Sequence, residues 1–109
     1  MYIHSSNKRF ERLKRDVIKK VEIDALGRLN ISPAEQKFTL IYKTATQVHW
    51  DSQNQTLYSP KPSDWTYVDW YNHIIRVARQ ECFCELSLTK ETVWVNVPEN
   101  IKNEIIQVQ

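Results

Sequence analysis

Four prolines, Pro33, Pro60, Pro62 and Pro98, punctuate this chain, and the residues around them keep one order. Strand-forming residues come first, then a proline, then apolar residues at helical spacing. Proline has no N–H to give a β-ladder but suits the first turn of a helix, so each is read as the end of a hairpin and the start of a helix. In the first unit, Val21 to Ile31 reads as two short strands around Gly27, the only glycine. Ser32-Pro33-Ala34-Glu35 then has the form of a capping box, with Ala34, Phe38, Ile41, Tyr42 and Ala45 predicting a helix over 33–46. A strand reading of Phe38 to Tyr42 competes with it, because that run is rich in β-formers.

The second unit pairs 47–51 with 55–58 and passes Ser59-Pro60-Lys61-Pro62 into a helix over 64–80, with Ser63 as the expected cap. Val68, Tyr71, Ile75 and Ala78 form its inward stripe. The third pairs Phe83 to Leu88 with Thr92 to Val97, then starts a short helix at Pro98-Glu99 bearing Ile101, Ile105 and Val108. The first two units also match at an offset of 27, in Val21/Val48, Asp24/Asp51 and Ser32-Pro33/Ser59-Pro60. Ahead of them, Phe10, Leu13, Val17 and Val21 predict an amphipathic helix over about 6–20. The fold class that follows is α+β: an antiparallel sheet of short hairpins with about four helices packed mainly on one face. A length of 109 residues fits one domain spanning 1–109, with residues 1–5 expected to fray.

Composition narrows the function. Hydrophobic residues at 41 % and charged residues at 26 % describe an ordinary globular chain. Mean hydropathy is −0.57 and no apolar run approaches membrane-spanning length, so no membrane partner is expected. Charge arrives early, at Lys8 and Arg9, where an export signal would be apolar. Cys82 and Cys84, read on one strand, stand too far apart for an unstrained disulfide and lack the second pair that structural zinc needs. These points together predict a cytoplasmic, bacterial protein with two small buried cysteines, no metal and no cofactor. No nucleophile elbow, zinc helix or glycine-rich phosphate loop is present. An enzyme would have to use His49, Asp51 and His73, and no motif assigns them a catalytic role.

Two macromolecular readings remain. Residues 8–20 carry a local charge of +5, which makes Arg12, Arg15 and Lys19 the candidates for contact with nucleic acid. Against this stands an aromatic concentration, with six of twelve aromatics between Trp50 and Tyr71 and aspartates flanking the tryptophans. On a helix of period 3.6, Trp70 would lie about 160° from Val68 and so face outward, while Tyr71 would face inward. Trp65, Tyr67, Asp69 and Trp70 are accordingly the candidate partner-binding residues, because tryptophan and tyrosine dominate interface hot spots. The favoured expectation is a small non-enzymatic protein that binds another protein, in the manner of an immunity protein or antitoxin.

One segment, Asp24-Ala-Leu-Gly27-Arg28-Leu-Asn-Ile31-Ser-Pro33, resembles the D-x-x-G-R-[IV]-x-[IV]-P signature of bacterial swapped-hairpin transition-state regulators. Those proteins bind DNA as dimers. The resemblance covers about ten residues, and this chain inserts Ser32 before the proline. It implies a Gly-Arg turn in a hairpin and transfers no DNA-binding residue.

Overall fold

The computed structural model describes residues 13–44 and 46–109. One long strand, β1 (Lys14–Ile23), is the spine. On one side it pairs antiparallel with β2 (Leu29–Pro33), and the sheet continues through β4 (Thr56–Tyr58) to β3 (His49–Asp51) at the edge. On the other side β1 pairs parallel with two short strands placed one after the other. β5 (Cys84–Ser87) lies beside Lys14 to Val17, and β6 (Val93–Val95) lies beside Lys20 to Glu22. Among the described residues two helices pack with this sheet, α1 (Tyr67–Cys82) and α2 (Glu99–Gln107), with a 3-10 turn at Ile41–Thr44.

The core depends on a β-bulge. Ile18 faces Pro33 and Lys20 faces Ser32, so Lys19 is an extra residue in β1. The inward positions therefore change phase, from Ile18 before the bulge to Val21 and Ile23 after it. Trp94, Val21, Ile31, Leu57 and Trp50 then form one cross-strand row through four ladders. Val21, Ile31 and Leu57 in that row are fully buried, and Tyr71 and Ile74 of α1 and Ile105 of α2 close the same core. The Thr92 hydroxyl donates to the carbonyl of Ile18 at 2.6 Å, which satisfies a backbone group beside the bulge where β5 and β6 leave a gap.

The turn between β1 and β2 is built on Asp24. Its carboxylate accepts from the backbone N–H of Leu26 and Arg28, from Arg28 Nε at 2.8 Å and from Asn30 Nδ2 at 3.0 Å. Gly27 takes φ +80° there, and the stem of Lys61 passes 3.3 Å from where a Cβ would stand. Asp51 has the same role in the β3–β4 turn, accepting from the N–H groups of Gln53 and Asn54. The aspartates matched at an offset of 27 thus anchor corresponding turns.

Several expectations are corrected. Among the described residues the sheet is mixed, not antiparallel, and carries two helices, not about four packed on one face. The helix expected over 6–20 is a strand from Lys14 onward, while residues 6–12 lie outside the described residues. The stripe Phe10, Leu13, Val17 and Val21 that suggested a helix is not the inward face of the strand: Val17 is exposed, and the bulge places Ile18 and Val21 in the core instead. The helix expected over 33–46 reduces to the 3-10 turn. Ser32 caps nothing, because it is buried in β2, and the N–H groups of Glu35 and Gln36 donate instead to Asp16 on β1. The third hairpin is absent, since β5 and β6 both run parallel to β1. The long helix begins at Tyr67, not near Ser63, because Thr66 and Asp69 form its capping box. Cys82 and Cys84 do not share a strand: Cys82 ends α1, Phe83 turns the chain at φ 54°, and Cys84 opens β5.

Candidate functional site

The Thr66–Asp69 capping box sets where α1 starts, and with it the order of residues along its first turns. The Thr66 hydroxyl accepts from the N–H of Asp69 at 3.1 Å, and the Asp69 carboxylate accepts from the N–H of Thr66 at 3.0 Å. Tyr67 follows, and its hydroxyl donates to the carbonyl of Gly27 at 2.8 Å, tying the start of α1 to the β1–β2 turn. Trp70 and His73, one turn apart, then face the same neighbour. That neighbour is Trp65, the residue before the cap. Its ring centroid lies 4.7 Å from that of Trp70 and 5.1 Å from that of His73.

The three rings pack at tilted and edge-on angles, the geometry aromatic quadrupoles favour. They form one wall of an open cleft of about 940 Å³. Pro60, Lys61 and Asp64 line it from the proline segment, and Thr46, Gln47 and His49 line it from the approach to β3. His73 is fixed from both nitrogens. A carbonyl can only accept, so Nε2–H donates to the carbonyl of Thr46 at 3.0 Å, leaving Nδ1 to accept from Arg76 at 3.2 Å. The imidazole is thus held in place as a support for the two indole rings.

Of the four candidate partner-binding residues, the structure gathers Trp65 and Trp70 at the cleft and gives Tyr67 and Asp69 structural duties nearby. The expectation that Trp70 faces outward is overturned, as Trp70 is 7 % exposed and Trp65 is 41 % exposed. Trp65 itself folds back over Trp70, so the position of Trp70 on the helix does not decide its exposure. Tyr71 is buried, and burial raises its hydroxyl well above the ordinary tyrosine range. His73 was a candidate for the catalytic reading and not for partner binding, and the Pro60–Lys61 wall was in neither set. The spacing of Trp70 and His73 on one helix face was the available signal for the former.

The other candidate groups are dispersed. Arg15 and Lys19 lie on β1, where Arg15 faces Glu85 at 3.7 Å, and Arg12 lies outside the described residues. His49 packs on Tyr58 with ring centroids 5.2 Å apart, and the Arg28 guanidinium lies over the Tyr58 ring at 4.6 Å from its centroid. Hydrogen bonds from the Asn54 side chain and backbone hold the Asp51 carboxyl below its ordinary range, so that group is committed to its turn. Burial pushes the Cys84 thiol up to about 11, helped by the negative charge of Asp16, and burial beside Glu81 also raises Cys82. Neither thiol is poised as a nucleophile. Among the described residues no three metal-ligating side chains converge, and no helix is long and apolar enough to cross a membrane.

A family model described as Integron Cassette Protein Hfx_Cass5 matches residues 16–92. A solved structure, described as "Structure from the mobile metagenome of North West Arm Sewage Outfall: Integron Cassette Protein Hfx_Cass5", is 35 % identical. The match covers 86 % of this chain and 94 % of that one, with a TM-score of 0.45. No curated protein matches the chain.

Proposed function

This chain belongs to the Integron Cassette Protein Hfx_Cass5 family, and we propose that it is a non-enzymatic protein that binds another protein through the Trp65 cleft. The observation that carries this reading is the setting of Trp65. A large indole stands 41 % exposed, yet it is held against two buried or half-buried rings whose own positions are fixed by α1. Leaving such a ring in water forgoes favourable burial, and a partner that covers it recovers that free energy. Because the ring is already ordered, little side-chain entropy is lost on association. The flanking charges of Lys61 and Asp64 supply a polar rim of both signs.

The state of the other groups supports binding over catalysis: the thiols are raised, and Asp51 and Asp69 serve turns and caps. The test is affinity capture with the intact protein as bait, comparing wild type with Trp65→Ala. A protein partner retained at ~0.3 M salt by the wild type should lose at least about thirtyfold in affinity with Trp65→Ala, the scale of a hot-spot residue. Equal retention by both baits would remove Trp65 from the interface. Retention of nucleic acid alone, lost steeply as salt rises, would favour the basic strand instead.

A further inference from the structure

The far end of α1 holds a second group of reactive side chains, away from the Trp65 cleft and independent of the reading above. Cys82 closes the helix, Cys84 opens β5, and only Phe83 stands between them. The backbone of that middle residue decides how far apart the two cysteines are held. On a strand, the flanking Cα atoms would be about 6.5–7 Å apart. Phe83 instead takes φ 54° and ψ 43°, helical values of left-handed sign. A helical residue of either hand separates its neighbours' Cα atoms by about 5.4 Å, from a rise of about 1.5 Å and a turn of about 100° per residue. That falls inside the range a disulfide spans, about 4.4–6.8 Å. The chain is fixed there, because the Phe83 N–H donates to the carbonyls of Ala78 and Arg79, and its carbonyl accepts from the N–H of Lys14 at 2.8 Å.

The two side chains also share surroundings. Both line one groove of about 320 Å³, and Cys82 packs against the core cluster that contains Cys84. They differ in access: Cys84 is 2 % exposed, whereas Cys82 is half-buried. We infer that Cys82 and Cys84 are a modification site, closed reversibly to an intramolecular disulfide by exchange with a low-molecular-weight disulfide. The Cys82 thiolate attacks one sulfur of that disulfide, which releases one small thiol and leaves a mixed disulfide on Cys82. Cys84 then attacks the Cys82 sulfur and releases the second small thiol. Two protein thiols are oxidised, and the small disulfide takes up their two electrons and two protons. Only thiolate attacks, so both steps are slow: burial raises the two thiols, with the charge of Asp16 adding to it at Cys84 and that of Glu81 at Cys82. The product is not opposed by this. A dithiol is strongly oxidising when its reduced form is stabilised, and thiols that resist ionisation lack that stabilisation.

The experiment equilibrates the whole protein with glutathione and glutathione disulfide at pH 8, traps the mixture with iodoacetamide and reads it by mass spectrometry. A monomer two hydrogens lighter, linked from Cys82 to Cys84, is expected. Its effective concentration should be at least about tenfold higher for the folded protein than for the same protein in urea, because the fold holds the two cysteines within reach. Cys84→Ala should stop at a mixed disulfide on Cys82, and Cys82→Ser should leave Cys84 unmodified. The folded state of each variant is checked by a cooperative urea transition. Cys82 is half-buried, so its variant and the wild-type comparison decide the matter even where Cys84→Ala unfolds. Equal effective concentrations in the folded and unfolded protein would overturn the assignment. So would a mixed disulfide that accumulates in the wild type in place of the ring, or thiols that stay reduced at every glutathione ratio.

Discussion

At the scale of single residues, Trp65 and Trp70 carry opposite expectations although their rings touch. Trp70 is packed among buried residues of α1 and the core, and truncating such a side chain leaves a cavity as well as losing burial. Trp70→Ala should cost about 3–5 kcal/mol in a chemical denaturation series. Trp65 rests on that ring from outside, so Trp65→Ala should cost only about 1 kcal/mol, the order of an aromatic pair. The reverse order would mean that Trp65 is the structural residue. Asp24 offers a second test. Burial works against its charged form, but the hydrogen bonds from the Arg28 backbone, the Asn30 side chain and the Arg28 side chain, with the Arg28 charge, prevail and hold its carboxyl below the ordinary 3.8. A carboxyl depressed on folding contributes stability that is complete above the unfolded value and is lost as pH falls through the folded one. Stability should therefore decline below about pH 4, and Asp24→Ala should flatten that acid limb. An unchanged acid slope in urea titrations would show that other carboxyls account for it.

At the scale of elements, local signals competed and the better-satisfied backbone won. Ser32-x-x-Glu35 and Thr66-x-x-Asp69 both resemble helix starts, yet only the second forms one. Ser32 belongs to a strand paired to β1, and the N–H groups after Pro33 find Asp16 across the sheet. Thr66 has no such rival. Thr66→Ala should therefore lower stability by about 0.5–2 kcal/mol and fray the first turn of α1, seen as faster amide exchange at Tyr67 to Asp69. Slow exchange there in the variant would show that the Tyr67 link to Gly27, and not the cap, holds the helix start. The two aspartate-anchored turns were the elements most legible in the sequence, because a carboxylate bonding to N–H groups two to four residues ahead is a local device.

At the scale of the whole molecule, everything is organised on β1, which holds partners on both edges and changes inward phase at Lys19. Deleting Lys19 removes that change of phase. Either Lys14 to Ile18 or Val21 to Ile23 must then turn its apolar positions away from the core. The deletion variant should lose its cooperative thermal transition, whereas Lys19→Ala, which keeps the residue count, should melt within about 3 °C of wild type. A cooperative transition in the deletion variant would mean that the sheet can re-register without the bulge.

The sequence by itself determined the mixture of helix and strand, the position of the β1–β2 and β3–β4 turns, the inward face of Tyr71 on α1 and the crowding of aromatics near Trp65. Those features depend on contacts a few residues long, whose chemistry is written in adjacent side chains. Only the tertiary structure decided that 14–23 is a strand, that β5 and β6 lie parallel to it, and that Trp70 is covered by Trp65. The first two depend on partners distant in sequence, a second ladder for β1 and the Ile18 carbonyl for Thr92, and the third on how the chain before the helix folds back over it. Periodicity within one segment cannot register such partners, because Val17 and Val21, four apart, fit helical spacing although the bulged strand exposes the first and buries the second.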